Sequence, residues 1–340
     1  MKEKMRAAVF HGNGVLSVEQ VDIPEITSPN ELLVKVDACS ICGTDVHILE
    51  VPPAGFHVAP GTILGHELTG IVTAVGSAVK HVSIGDRIVA EPNDYCGICR
   101  YCLKGLTNHC SHQRSLGVTV NGGFAEYVKI IEPTAHKISH AVAPELAVFA
   151  EPLACVVSGC RKLAMQPGES ACVIGGGPIA LLYVKMLKAS GVTPVIVSEP
   201  SPIRRNAAMQ AGADLTVDPG SQDLKEIVLQ ATGGVDAVLD IVGSQFPMAI
   251  DLVRNAGRIL LFGFNTRAVP AVVQHHIVLK EISVLGSWIA RNTFPQAVGI
   301  LEKNILELAP LITHRLPLER ICEGIDILRN GKGLEIIIEM

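Results

Sequence analysis

Aromatic residues are scarce in this 340-residue chain, which has eight Phe, four Tyr and a single Trp. That disfavours an aromatic-rich β-sandwich. Plentiful Gly, Val, Ile and Ala point instead to α/β layers around buried aliphatic strands. An excess of one charge is lacking too. The net charge is only -5 and no Lys/Arg-rich run occurs, so neither nucleic acid nor an anionic membrane is expected as a partner. The longest apolar run, "ACVIGGGPIALLYV", is too short and too glycine-rich to span a bilayer. The opening "MKEKMRAAVFHGNGVLSVEQ" lacks the apolar core and cleavage site of a secretory signal, so the cytoplasm is the expected compartment. There, ten cysteines read as ligands or buried thiols before they read as disulfides.

The length favours two domains. Up to about residue 150, short strand-like runs ("ELLVKVDAC", "LTGIVTAVG", "DRIVAEP", "GGFAEYVKI") separated by Gly, Pro and Asn suit a β-rich, barrel-like unit. From residue 153 strands alternate with helical segments, the rhythm of a doubly wound parallel sheet. The predicted division is 1–152, 153–290 and a C-terminal segment, 291–340.

Four cysteines, Cys96, Cys99, Cys102 and Cys110, follow C-x2-C-x2-C-x7-C. Four thiolates with no open position describe structural zinc, with a four-thiolate iron–sulfur cluster as the rival. A dispersed set carries the donors of a reaction centre. "CSICGTDVHI" holds Cys42, Thr44, Asp45 and His47, "GHELTG" holds His66 and Glu67, and "FAEPLAC" holds Glu151. Cys39, Cys155, Cys160, Cys172 and Cys322 are assigned to packing, and the pair His275 and His276 has no functional reading.

"VIGGGPIALL" places Gly175, Gly177 and Ala180 at the first, third and sixth positions of a Gly-rich turn between a strand and a helix. The glycines permit a tight turn and close approach of a pyrophosphate to the helix N-terminus, with Pro178 and Ile179 opening that helix. The next strand ends in Glu199, a carboxylate suited to ribose hydroxyls and hostile to a 2′-phosphate. NAD is therefore favoured over NADP, although Arg204 and Arg205 lie close enough to meet a phosphate.

Taken in order, "CGTDVH", "GHELTGIVTAVG", the four-cysteine loop, "EPLAC" and the Gly-rich turn resemble the zinc-dependent medium-chain alcohol/polyol dehydrogenase family from end to end. The resemblance implies a GroES-like catalytic domain plus a Rossmann domain. It also implies two Zn2+ per subunit, one catalytic and one structural, and a homodimer or homotetramer. Cys42 and His66 match the catalytic zinc ligands, with Glu67 as ligand or near neighbour. Glu151 stands where some members place a further ligand. Thr44 matches the first proton acceptor and His47 the end of the relay, with a surface histidine as the alternative for His47. Asp45 reads as the carboxylate that takes the outer imidazole hydrogen of His66, with an ordinary turn-capping aspartate as its alternative.

The substrate implied is a secondary alcohol or polyol, with L-threonine as the alternative and a non-catalytic nucleotide-binding protein as the rival from another class. "GSWIARNTFP" sets Ile289 and Ala290 where sorbitol dehydrogenases carry an Arg–Tyr pair, which argues against sorbitol itself. Trp288 and Phe56 are candidate pocket residues, or domain packing.

Overall fold

The computed structural model describes residues 3–51, 55 and 57–340; Phe56 lies outside them. The chain divides into two compact units, Met1–Ala154 with Ala290–Met340, and Cys155–Ile289. The first division falls inside the helix Ala150–Leu163.

In the first unit a seven-stranded sheet has as its spine the strand Glu31–Ser40. Leu32, Val34, Val36 and Ala38 of that strand are buried in alternation, the period of a pleated ribbon with one face on a core. It pairs antiparallel with Glu67–Val75 and Tyr127–Ile131, and its end pairs with the C-terminal strand Glu335–Glu339. Residues far apart in sequence thus meet at one end of the sheet. Leu68, Val72, Ile88, Phe124, Ile336 and Ile338 fill the core beneath. Gly70 is obligatory in this sheet, because a Cβ there would sit 2.2 Å from the Lys35 carbonyl oxygen.

The second unit holds a six-stranded sheet in which every neighbouring pair is parallel. The order is Leu215–Val217, Val195–Ser198, Ala171–Ile174, Val235–Asp240, Val253–Leu261, Ser283–Gly286. The first strand in sequence, Ala171–Ile174, is therefore central, and the order reverses beside it. That is the topological switch point at which doubly wound sheets bind nucleotides. The inner strands are buried on both faces, which explains their unbroken aliphatic runs. The fold is the expected GroES-like unit plus Rossmann unit.

One packing assignment is corrected. Cys39 and Cys172 are fully buried, but Cys322 is exposed on the helix Ile321–Arg329. It occupies the polar face of a short amphipathic helix, where a small thiol costs little.

Candidate active site

The strand Glu31–Ser40 ends two residues before Cys42, which caps the helix Gly43–Ile48. The cap is reciprocal: the Thr44 N–H donates to Cys42 Sγ (3.5 Å) and the Cys42 N–H donates to Asp45 Oδ2 (2.9 Å). This cap holds the thiol against the sheet end. Next to it, Gly65 has φ +89°, and a Cβ there would lie 2.7 Å from the Phe124 ring, so only glycine delivers His66 in this place. Glu67 begins the following strand directly opposite Ser40, whose hydroxyl donates to Glu67 Oε2.

As a result Cys42, His66 and Glu67 bring a sulfur, an imidazole nitrogen and a carboxylate oxygen within 4.8 Å of one another. Glu151, in the first turn of Ala150–Leu163, is buried close enough for its charge to act on all three, though it stands outside that tight trio. Thr44 and His47 ride the capped helix half-buried, and His47 Nδ1 lies 3.1 Å from Glu50 Oε1. Asp45 is fully buried, and its two oxygens face different neighbours. Oδ2 caps the helix, whereas Oδ1 lies 3.8 Å from His66 Nδ1, beyond hydrogen-bond range. Both of those atoms lack a hydrogen-bond partner among the described residues.

The electrostatics show what the cluster can hold. Burial, then Asp45 and Glu151, pushes the Cys42 thiol up to about 12. Burial likewise holds Glu67 well above the usual carboxylate range, with Cys42, Glu335 and Glu151 adding to it. Burial opposes charge on His66, but Asp45, Glu67 and Glu151 outweigh it and raise its pKa. A thiol, an imidazole and several acids crowded out of water are stable together only with protons or a cation. The donor set fits a catalytic zinc: S, N and O ligands, with a carboxylate behind the histidine.

Sequence reasoning missed Glu335 and Ser40. Glu335 opens the C-terminal strand, is buried, and has its pKa raised to about 7 by burial, with Ser40 opposing and Glu151 adding. A single Glu heading "LEIIIEM" carries no ligand spacing. Only the pairing of three distant strands gives it meaning.

Cys96, Cys99, Cys102 and Cys110 gather their sulfurs within 4.8 Å, with Cys99 Sγ 3.5 Å from Cys102 Sγ and 4.0 Å from Cys110 Sγ. Backbone N–H groups of Cys96 and His112 point at Cys110 Sγ, and that of Cys99 points at Cys96 Sγ, each at 3.3 Å. Such donors draw the Cys99 thiol down to about 5, whereas desolvation and the Cys99 sulfur push Cys102 up to about 12. Four convergent sulfurs cradled by N–H groups fit one tetrahedral zinc.

In the second unit Gly175 turns at φ +108° after Ala171–Ile174, and Gly177 caps the helix Pro178–Ala189. Pro178 occupies the first turn. A Cβ on Gly177 would meet nothing within 4 Å, so the backbone in front of the helix is open to a ligand. Ala180 is fully buried. Glu199 is buried, and backbone N–H groups engage both its oxygens. Its Oε2 accepts from the Gly176 N–H (2.7 Å) and its Oε1 from the Ser201 N–H (2.8 Å), so it braces the glycine turn. Arg204 Nε is buried without a partner among the described residues. Arg205, in contrast, is spent on the Glu199 and Pro200 carbonyls and on Asp218. Trp288 is exposed, its ring 5.5 Å from that of Phe264, and Ile289 beside it takes φ +40°.

Comparison with known proteins places these features in context. Residues 28–140 match the model of the alcohol dehydrogenase GroES-like domain, and residues 178–303 that of the zinc-binding dehydrogenase. The chain is 34% identical over 346 residues to an L-threonine 3-dehydrogenase of Bacillus velezensis, covering 99% of both chains. It is 30% identical over 346 residues to sorbitol dehydrogenase of Mus musculus, covering 97% of this chain and 94% of the other. Among solved structures, a zinc-binding dehydrogenase from Sinorhizobium meliloti bound to NADP superposes with a TM-score of 0.92 at 32% identity over the full length of both chains.

Proposed function

The chain belongs to the zinc-dependent alcohol dehydrogenase family, and from that premise we propose that it oxidises a secondary alcohol or polyol with NAD. It is a zinc-dependent oxidoreductase acting on CH–OH donors. The observation that carries the finer reading is the meeting of Cys42, His66 and Glu67. These three hold the catalytic metal, with Glu151 as the further carboxylate. When bound, zinc supplies a Lewis acid that lowers the pKa of the substrate hydroxyl, and NAD accepts the hydride. Asp45 stabilises positive charge on the His66 imidazole through space, across 3.8 Å. The Thr44 hydroxyl takes the proton outward. His47, three residues on along the same helical face, passes it to solvent with Glu50 behind its ring.

Cys96, Cys99, Cys102 and Cys110 hold the structural zinc. Gly175, Gly177, Pro178 and Ile179 receive the pyrophosphate, and Glu199 the adenosine ribose. Arg204, five residues after Glu199 and with its Nε buried without a partner among the described residues, keeps NADP as a second cofactor. L-threonine is the second substrate reading, supported by the relatives that bear that activity in their names. No helix among the described residues is long and apolar enough to cross a membrane. We place the enzyme in the cytoplasm as a homodimer or homotetramer. The edge strand Ser283–Gly286 is open on one side, and Val278 and Leu279 of the helix Gln274–Leu279 are exposed at 68% and 76%, a surface suited to a second copy.

The test is reduced-cofactor formation by zinc-replete protein with NAD or NADP over L-threonine, polyols, sugar phosphates, vicinal diols and simple secondary alcohols. A chelator-sensitive preference for one polyol or secondary alcohol supports the reading. Preference for L-threonine selects the second. Silence over the whole panel, with zinc and cofactor bound, overturns both.

A further inference from the structure

Glu335 is more than an accident of packing. Three strands converge at the catalytic end of the first sheet, and their register fixes which side chains share a face. Ser40 lies directly opposite Glu67 on one side and Ile337 on the other. Side chains alternate along a strand, so Glu335, two residues before Ile337, shares the face of Ser40 and Glu67. Both Ser40 and Glu335 are buried, at 0% and 3% exposure. Glu335 Oε1 has no hydrogen-bond partner among the described residues. The residues that follow, Ile336, Ile337 and Ile338, are all buried. A carboxyl at the head of such a strand costs free energy unless a polar group meets it.

A serine hydroxyl carries one hydrogen and rotates freely unless both its sides are engaged. Ser40 spends its hydrogen on Glu67. Its oxygen can still accept, and besides Glu67 the polar side chain on that face is Glu335, whose carboxyl O–H can donate to it. We propose that Glu335 is a positioning residue for the catalytic metal site, fixing the Ser40 hydroxyl and, through it, the Glu67 carboxylate. The proposal rests on the reading of Cys42, His66 and Glu67 as that site. It adds an outer layer that the trio does not contain, reached from the last strand of the chain.

The test measures zinc release from the zinc-loaded enzyme into a colorimetric chelator, with zinc on the four thiols as internal reference. Ser40→Ala and Glu335→Met should each release the catalytic zinc about tenfold or more faster, the scale of outer-shell losses. The double variant should be no faster than either single one, because both break one chain of contacts. Glu335→Gln, which keeps the length and a polar end, should hold zinc as the wild type does. Methionine fills the same volume among isoleucines; should it still disturb folding, Glu335→Asp repeats the comparison with shortened reach. Wild-type release from Glu335→Met, effects that multiply in the double variant, or fast release from Glu335→Gln would each overturn the proposal. If Cys42→Ser removes no zinc, it is the metal reading itself that fails.

Discussion

Glu199→Ala tests the backbone role that the Glu199 carboxylate shows against the ribose role proposed for it. In the native chain both oxygens accept backbone N–H groups, from Gly176 at 2.7 Å and from Ser201 at 2.8 Å. Removing an acceptor from a buried N–H costs about 1–3 kcal/mol; the Gly176 bond is buried and the Ser201 bond only partly so, which puts the loss at about 2–4 kcal/mol. Glu199→Gln keeps one acceptor oxygen and should lose about half as much. The sole tryptophan, Trp288, lies in the same unit, so its fluorescence during urea unfolding reports on that unit. NADH and NADPH titrations supply the second readout. Glu199→Ala should unfold at clearly lower urea and bind NADH more weakly. It should gain little NADPH affinity, because the turn that receives either pyrophosphate has lost its brace. An unchanged unfolding midpoint together with a clean switch to NADPH would refute this reasoning and leave Glu199 a specificity residue alone.

Cys42→Ser should abolish turnover and lower the zinc content by one ion while NADH binding persists; unchanged zinc by atomic absorption would remove Cys42 as a ligand. Asp45→Asn keeps an acceptor for the Cys42 N–H but loses the charge beside His66, so catalytic zinc affinity should fall about 10–100-fold with little change in melting temperature. Cys99→Ser should release the other zinc and make the 96–110 loop sensitive to limited proteolysis, whereas an intact loop would argue against a structural metal there. Burial would raise Glu31, but N–H groups of Thr27 and Ser28 and the Lys129 ammonium hold it at about 2. A lowered folded pKa contributes stability above the unfolded value of about 4.5, lost as pH falls towards 2. Glu31→Gln should therefore flatten the acid limb of a stability–pH curve between those values.

What was legible in the sequence is what local chemistry dictates. The four-cysteine spacing, the glycine turn after an aliphatic run and the Cys-Gly-Thr-Asp segment each state their geometry within a few residues. The alternation in "ELLVKVDAC" and the uniform burial of "ACVI" likewise separate a half-buried strand from a central one. Roles set by pairing between distant segments were not legible. Ser40 matters because it faces Glu67, and Glu335 because its strand closes on the other side of Ser40. Neither fact leaves a trace in spacing. Asp45 and Glu199 were legible as charges to be placed near a histidine and a ribose. Capping was legible as the alternative for Asp45, whereas the role of Glu199 as a backbone acceptor emerges only when the glycine turn is built.

These double roles have a common physical cause. A catalytic donor set must be held within a fraction of an ångström, yet its side chains sit on segments that join elements and have few contacts of their own. The chain meets this by tying each donor to a backbone group or strand that the fold already fixes. Cys42 is tied through its helix cap, His66 through Gly65, the only residue for which Phe124 leaves room, and Glu67 through Ser40. The acids this requires are concentrated in a buried place, where a cation would relieve their mutual repulsion. Metal binding should therefore stabilise the first unit as well as arm it. Stripping the catalytic zinc from a Cys99→Ser variant, which already lacks the structural ion, should lower the melting temperature further. An unchanged melting point would mean that the acids settle their charge by protonation alone, and that the fold does not depend on the metal it positions.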